Sequence, residues 1–275
     1  MALLLLLTLA STCTAASSLD RGTSYLLTRQ QSGGGFAEPG SSSSAGLTSW
    51  VVLGLKAAGR SAADTPGAAD YLSGATQTQA TDLELRLLAL DALARDTSDL
   101  ASAIERLKQP SGRIGPALNS TYWGVLALAA AGHKPAKATV RYILRAQRKS
   151  GGWSWSPRAA ADADDTAVAI QALRAAGQSA RSARIKHGLR FLRRCQNKDG
   201  GFAVSPATDS NAQSTAWAIQ ALLAARKDPG KAAFRYLKKL QRSDGSFRYD
   251  RRYVTTPTWV TAQVLCALSR KPFPL

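Results

Sequence analysis

Two kinds of segment alternate along the chain. One is amphipathic with a basic wet face: Arg141, Arg145, Arg148 and Lys149 mark one such stretch, and Arg190, Arg193 and Arg194 another. The other is rich in Ala and Leu and apolar nearly all round. It recurs at 47–59, 82–94, 120–132, 165–177, 214–226 and 257–270, and several copies end at Gly, a residue suited to stopping a helix. A helix apolar on most faces must be buried on most faces. Alternating half-wet and buried helices therefore predict an all-α protein with two concentric layers, the greasy helices inside.

The alternation is a repeat. An aromatic-aliphatic pair is followed after three residues by Gln, then by a turn with Gly and an aromatic. Tyr25-Leu26 leads to Gln30, Gly34-Gly35 and Phe36; Tyr142-Ile143 to Gln147, Gly151-Gly152 and Trp153. Phe191-Leu192 leads to Gln196, Gly200-Gly201 and Phe202; Tyr236-Leu237 to Gln241, Gly245 and Phe247. Ile104, Gln109, Gly112 and Ile114 form a weaker copy, and Tyr71-Leu72 begins a degenerate one. After each turn comes a column of first-turn threonines (Thr48, Thr121, Thr166, Thr215, Thr258). Before it stands an expected capping column of Asp82, Ser120, Asp165 and Ser214. The Gln amide is expected to take up free N–H groups at the start of the following helix. Roughly six helix pairs of this kind close into a ring or stack as an open solenoid; the lack of a polar terminal cap favours the ring.

Composition adds three points. Met1–Ala10 is an apolar block of signal-peptide length followed by small residues, so residues 1–16 are expected to be a leader, cleaved after Ala15 or Ala16, with the toroid domain at 17–275. That places the protein outside the cytoplasm or at the cell envelope. The net charge of +18 reads first as a solvated basic outer face and, as the alternative, as attraction to an anionic envelope surface; no aromatic stacking platforms accompany the basic residues, so specific nucleic-acid binding is not expected. Cys195 and Cys266 form no metal-ligand spacing, so neither zinc nor another cofactor is expected, while one disulfide between them is possible in an exported protein.

The aromatic-aliphatic-xxx-Gln-xxx-Gly-x-aromatic pattern resembles the repeat of the terpenoid cyclase and protein prenyltransferase superfamily. That resemblance implies an α/α toroid of six helix hairpins. The fourth unit, Asp162-Ala163-Asp164-Asp165-Thr166-Ala167, is similar to the Asp-x-Asp-Asp-Thr-Ala motif of squalene-hopene-type, or class II, terpene cyclases. By resemblance Asp164 is the general acid that protonates an alkene or epoxide, with Asp162 and Asp165 holding it protonated. Crowded carboxylates cannot all ionise, which suits that task. Two other readings stay open from the residues: a polar rim capping helix starts, or oxygen ligands for a cation such as calcium. In the two-domain cyclases the cavity lies between domains, so this chain would need a partner domain or a dimer.

Other activities of the fold lack their residues here. The zinc site of protein prenyltransferases has no counterpart, nor has the Cys-Gly-Glu-Gln thioester segment. Glu is confined to Glu38, Glu84 and Glu105, which leaves little for glycosidase chemistry. The inner segments carry Trp50, Tyr122, Trp123, Trp217 and Trp259, and a column of Gln171, Gln220 and Gln263. These are the candidate ligand-binding residues. The first expectation is a funnel that binds a hydrophobic, amphipathic or isoprenoid-like small molecule; class II cyclase chemistry and an envelope-bound scaffold are the alternatives.

Overall fold

The computed structural model describes residues 16–275; the expected leader lies almost wholly outside them. Six inner helices carry the greasy segments: α2 (Ala45–Ala57), α4 (Ala80–Ala92), α6 (Leu118–Ala130), α8 (Ala163–Ala175), α10 (Ala212–Ala224) and α12 (Pro257–Leu268). Between them run the outer helices: α1 (Ser18–Leu27), α3 (Ala68–Ser73), α5 (Ser98–Arg106), α7 (Lys137–Arg145), α9 (Ala183–Arg194) and α11 (Lys231–Lys239). Each inner helix packs on the next, and α12 packs on α2, so the ring is closed. Outer α1 spans the seam by packing on both α12 and α2. The two residue types separate as physics demands. Leu53, Leu87, Leu126, Ile170, Ile219 and Leu265 of the inner layer are buried, whereas Arg141, Arg190 and Lys238 of the outer layer are exposed.

Five of the inner helices start two residues earlier than the sequence pattern suggests, and α12 starts where the pattern puts it. The N-caps are Ser44, Asp162 and Asn211 in three of them, with each side chain accepting the backbone N–H three residues on. The column of Asp82, Ser120, Asp165 and Ser214 is therefore the third helical position and not the cap. Gly59, Gly132 and Gly177 stand just past their helices in the left-handed region expected of such stops.

The threonines staple turn to helix. Thr48, Thr121, Thr166 and Thr215 accept the backbone N–H of Phe36, Ile114, Trp153 and Phe202 at 2.8–3.1 Å. In the sixth unit Thr261 does this for Phe247 at 2.9 Å, not Thr258, because α12 enters in a shifted register. Thr258 instead meets Tyr25 and the carbonyl of Ala37 across the seam.

The repeat glutamines do the opposite of what was expected. Their amides donate to carbonyls: Gln147 Nε2 reaches Gly151 O and Arg184 O, at 2.7 and 2.8 Å. Gln30 likewise bonds Gly34 and Pro66, and Gln241 bonds Gly245 and Ser18. Each such Gln thus ties its own turn to the next outer helix, and Gln241 ties the last unit to the first.

A second set of links runs around the mouth. The first N–H of α6 donates to Trp155 O, that of α8 to Val204 O and that of α10 to Tyr249 O, each carbonyl lying in the next unit. At the seam the equivalent place belongs to Glu38. Its carboxylate takes the N–H groups of Thr258 and Trp259, both at 2.9 Å. A two-residue ladder, β1 (Phe202–Ala203) with β2 (Ser210–Asn211), completes the fifth loop. Cys195 and Cys266 form no disulfide: both are free, buried thiols, which burial pushes up to about 12 and so keeps unreactive.

Candidate functional site

Side chains four residues apart stack on one helix face. Asn119 and Trp123, Asp164 and Val168, Gln213 and Trp217, Trp259 and Gln263 are such pairs, on α6, α8, α10 and α12 respectively. Together with Trp50, Asp162, Asp165 and Val204 they line a concavity of about 370 Å³ at the mouth of the ring. Its floor is aromatic. Trp50 meets Trp123 at 5.4 Å between ring centroids, Trp217 at 5.5 Å and Trp259 at 6.5 Å, all near-perpendicular. Trp123 and Trp217 lie 5.3 Å apart in the same edge-to-face manner. That arrangement sets ring edges against π faces, the preferred geometry for aromatic pairs.

The lumen below this floor is not an open funnel. Phe273 of the C-terminal tail fills it, 5.7–6.2 Å from Trp50, Trp123 and Trp217. Gln171 and Gln220 hold the tail: Phe273 N donates to Gln171 Oε1 at 2.8 Å, and Gln220 Nε2 donates to Lys271 O at 3.0 Å. These two candidate ligand contacts are thus committed to the protein itself. Gln263 stands apart from them, in the concavity, and both atoms of its buried amide lack a partner. Tyr122 also leaves the candidate set. It is fully buried in the wall, and its hydroxyl bonds Ser154 O at 3.2 Å.

The three acids converge at one edge of the concavity, at the start of α8. Asp162 caps the helix by accepting Asp165 N at 2.7 Å, and the two carboxyls share a hydrogen bond. Burial raises Asp165 to about 9, reinforced by the charge of Asp162; burial also raises Asp162, opposed by the N–H groups it accepts. The pair accordingly holds one proton at neutral pH. Asp164 is raised to about 7, again by burial, with a hydrogen bond from Ser214 pulling the other way. Its Oδ1 is sealed from solvent and has no hydrogen-bond partner among the described residues. The arrangement sets a carboxyl whose burial favours the protonated form beside a π-rich apolar floor. Among the described residues no group of three or more His, Cys, Asp or Glu is placed to hold a metal ion, so the calcium reading lacks its geometry.

Five residues of this region stand outside the candidate set read from the sequence: Asn119, Val168, Val204, Gln213 and Phe273. Asn119 and Gln213 occupy the Asp164 position of neighbouring helices and could have been found by aligning first turns. Val204 sits in a loop and Phe273 in a short tail, where no periodicity points inward.

Solved structures share the fold. A variant of the type II terpene cyclase MstE from Scytonema, in complex with geranylgeranyl dihydroxybenzoate, superposes with a TM-score of 0.70 at 18% identity, over 92% of this chain and 95% of that one. A protein from Actinoplanes gives 0.70 at 20% identity over 92% and 98%. The ent-copalyl diphosphate synthase from Streptomyces platensis gives 0.60 at 18% identity, over 82% of this chain but 50% of that one. No curated protein matches the sequence. The family match spans four overlapping segments, residues 1–87, 71–187, 114–250 and 180–268, and the chain belongs to the prenyltransferase alpha-alpha toroid domain family.

Proposed function

We propose that the protein binds a hydrophobic or amphipathic, isoprenoid-like molecule in the mouth of its ring. One observation carries this: tryptophans from four different inner helices meet beneath a rim of acids and amides, giving an apolar floor and a polar collar in one concavity. The isoprenoid class is supported by MstE, a cyclase spanned almost end to end by this one ring and bound to a geranylgeranyl compound. Titration with geranylgeraniol should quench or shift tryptophan fluorescence. Trp259→Ala, at the half-buried edge of the floor, should weaken binding by about tenfold. An unchanged spectrum at saturating ligand would exclude the reading.

A second reading is favoured by Asp164 alone, whose shielded Oδ1 meets no partner at the edge of that floor. In it the π pair of an alkene takes the Asp164 proton. A C–H bond and a carbocation form, Asp164 becomes a carboxylate, and a neighbouring alkene closes the ring. Loss of a proton from the last cation balances the reaction. Tryptophan faces would stabilise the cationic stages. Squalene and geranylgeranyl diphosphate are the substrates to test for cyclic products. Turnover should fall as pH rises above about 7, because the required proton is then lost. Asp164→Asn should abolish products while leaving geranylgeraniol affinity within about twofold. Absence of products from the unaltered protein defeats the acid role and leaves the binding role standing.

We further propose export, supported by the apolar leader and the +18 charge. Intact-mass measurement on protein from its native host should show a chain starting at Ala16 or Ser17; one retaining Met1 would overturn this.

A further inference from the structure

At the far end of α12 from the tryptophans, the seam between α1 and α11 opens into a separate cleft of about 390 Å³. Lys231, Phe234, Arg235 and Lys238 fall three or four residues apart, so one face of α11 looks into it. Its floor is apolar, made by Leu19, Phe234 and Leu268, all half-buried. Its walls carry Lys231, Arg235, Lys238 and Arg270, and the Arg270 guanidinium lies 4.4 Å from the Phe234 ring centroid.

The four cations are uncommitted. Among the described residues none of them forms an ion pair. None donates a side-chain hydrogen bond to a described residue either. Two other basic clefts have some of their cations engaged. In one, Arg242 and Arg251 pair with Asp244 and Asp199. In the other, Arg174 is bonded to the carbonyls of Ala224 and Gln178. Neither of those clefts carries an aromatic residue. The nearby Asp20 is turned to the Ser17 cap, with its Oδ2 taking both the N–H and the hydroxyl of Ser17.

Four unpaired cations held around an aromatic, apolar floor match a molecule with an anionic head and a hydrocarbon chain. We propose that the seam cleft is a second binding site, specific for amphipathic phosphates. The phosphate sits among Lys231, Arg235, Lys238 and Arg270, and the chain lies along Phe234, Leu19 and Leu268. This site is independent of the tryptophan concavity and stands or falls without it.

The test uses the full chain and dodecyl phosphate below its micelle concentration, read by calorimetry. Inorganic phosphate alone should bind at least tenfold more weakly. The variant Lys231→Gln/Arg235→Gln/Lys238→Gln should lose at least tenfold affinity for dodecyl phosphate. Arg181→Gln/Arg226→Gln/Lys227→Gln removes equal charge from another cleft and should change it less than twofold. Phe234→Ser, which keeps every charge, should also weaken binding. All substituted positions but Phe234 are exposed, and melting curves check that each variant is folded. Equal losses in the two triple variants would reduce the effect to net charge and overturn the site, as would dodecyl phosphate binding no better than inorganic phosphate. Vesicles of phosphatidylglycerol in phosphatidylcholine separate the sources. Capture by them that the α11 triple variant abolishes assigns a lipid headgroup; monomer binding without capture assigns a free amphipathic phosphate.

Discussion

Among the described residues Glu84 has no partner for either carboxyl oxygen, although it is fully buried on α4, and burial raises it well above the ordinary glutamate range. In the unfolded chain it ionises at the ordinary value. Its contribution to stability is therefore complete below that value and declines as pH rises above it, since the fold resists a charge the unfolded chain accepts. Glu84→Gln removes the titration while keeping the shape. It should raise the melting temperature at pH 8 by about 3 °C or more relative to its effect at pH 4. An equal shift at both pH values would mean that Glu84 finds a partner. Asp165 works in the same direction. Burial and the charge of Asp162 raise it to about 9, so its contribution is complete below the ordinary aspartate value and falls as pH rises towards about 9. Units three and five place Ser120 and Ser214 at this helical position. Melting curves between pH 7 and 9.5 should therefore fall less steeply for Asp165→Ser than for the natural chain.

Within each element the backbone of the turns decides what is allowed. Gly245 has φ +91°, and a Cβ there would lie 2.4 Å from the carbonyl oxygen of Arg21 on α1. Gly34, Gly112, Gly151 and Gly200 repeat that conformation against Gly67, Ala138, His187 and Ala232. These glycines are where one turn rests on the next outer helix. Gly245→Ala should cost at least about 2 kcal/mol from the left-handed conformation alone, before the clash is counted. Gly46, in the first turn of α2, has open space around it, and Gly46→Ala should instead gain about 0.5 kcal/mol. Urea melts of the two variants give both signs in one experiment. Much of this was legible beforehand. All-round apolarity identified the inner helices, and the Gln, Gly and aromatic landmarks identified the turns. Partners were harder to read than places. An amide both donates and accepts, so the spacing of Gln147 could not say that it bonds carbonyls. Because α12 enters in a different register from the other inner helices, the threonine role passes from Thr258 to Thr261, which the local pattern does not reveal.

At the scale of the whole ring, six units and their order followed from the repeat, while the seam and the lumen did not. Closure depends on Gln241, which repeats on Ser18 what Gln30 and Gln147 do within the ring, and on two contacts with no counterpart among the described residues: Glu38 on the start of α12, and the tail beneath the tryptophans. A repeat-based reading averages over units and so misses what only one unit does. Phe273 is the largest such case. Its ring is 4% exposed and touches the same tryptophans that floor the mouth, so it separates a shallow concavity from the lumen below. Phe273→Ala should destabilise the fold by about 3 kcal/mol, the usual cost of deleting a buried phenyl ring. It also leaves a space beneath Trp50, Trp123 and Trp217 that a ligand chain entering from the mouth could reach once those rings turn. If the lumen is a latent extension of the site, the variant's loss of stability will be partly restored by long-chain alcohols such as geranylgeraniol. Geraniol, half as long, would restore less. Restoration follows from mass action on the folded state and is read as a rise in melting temperature with ligand concentration. If geraniol and geranylgeraniol act alike on Phe273→Ala, the tail is a structural plug only, and the ligand's reach ends at the tryptophans.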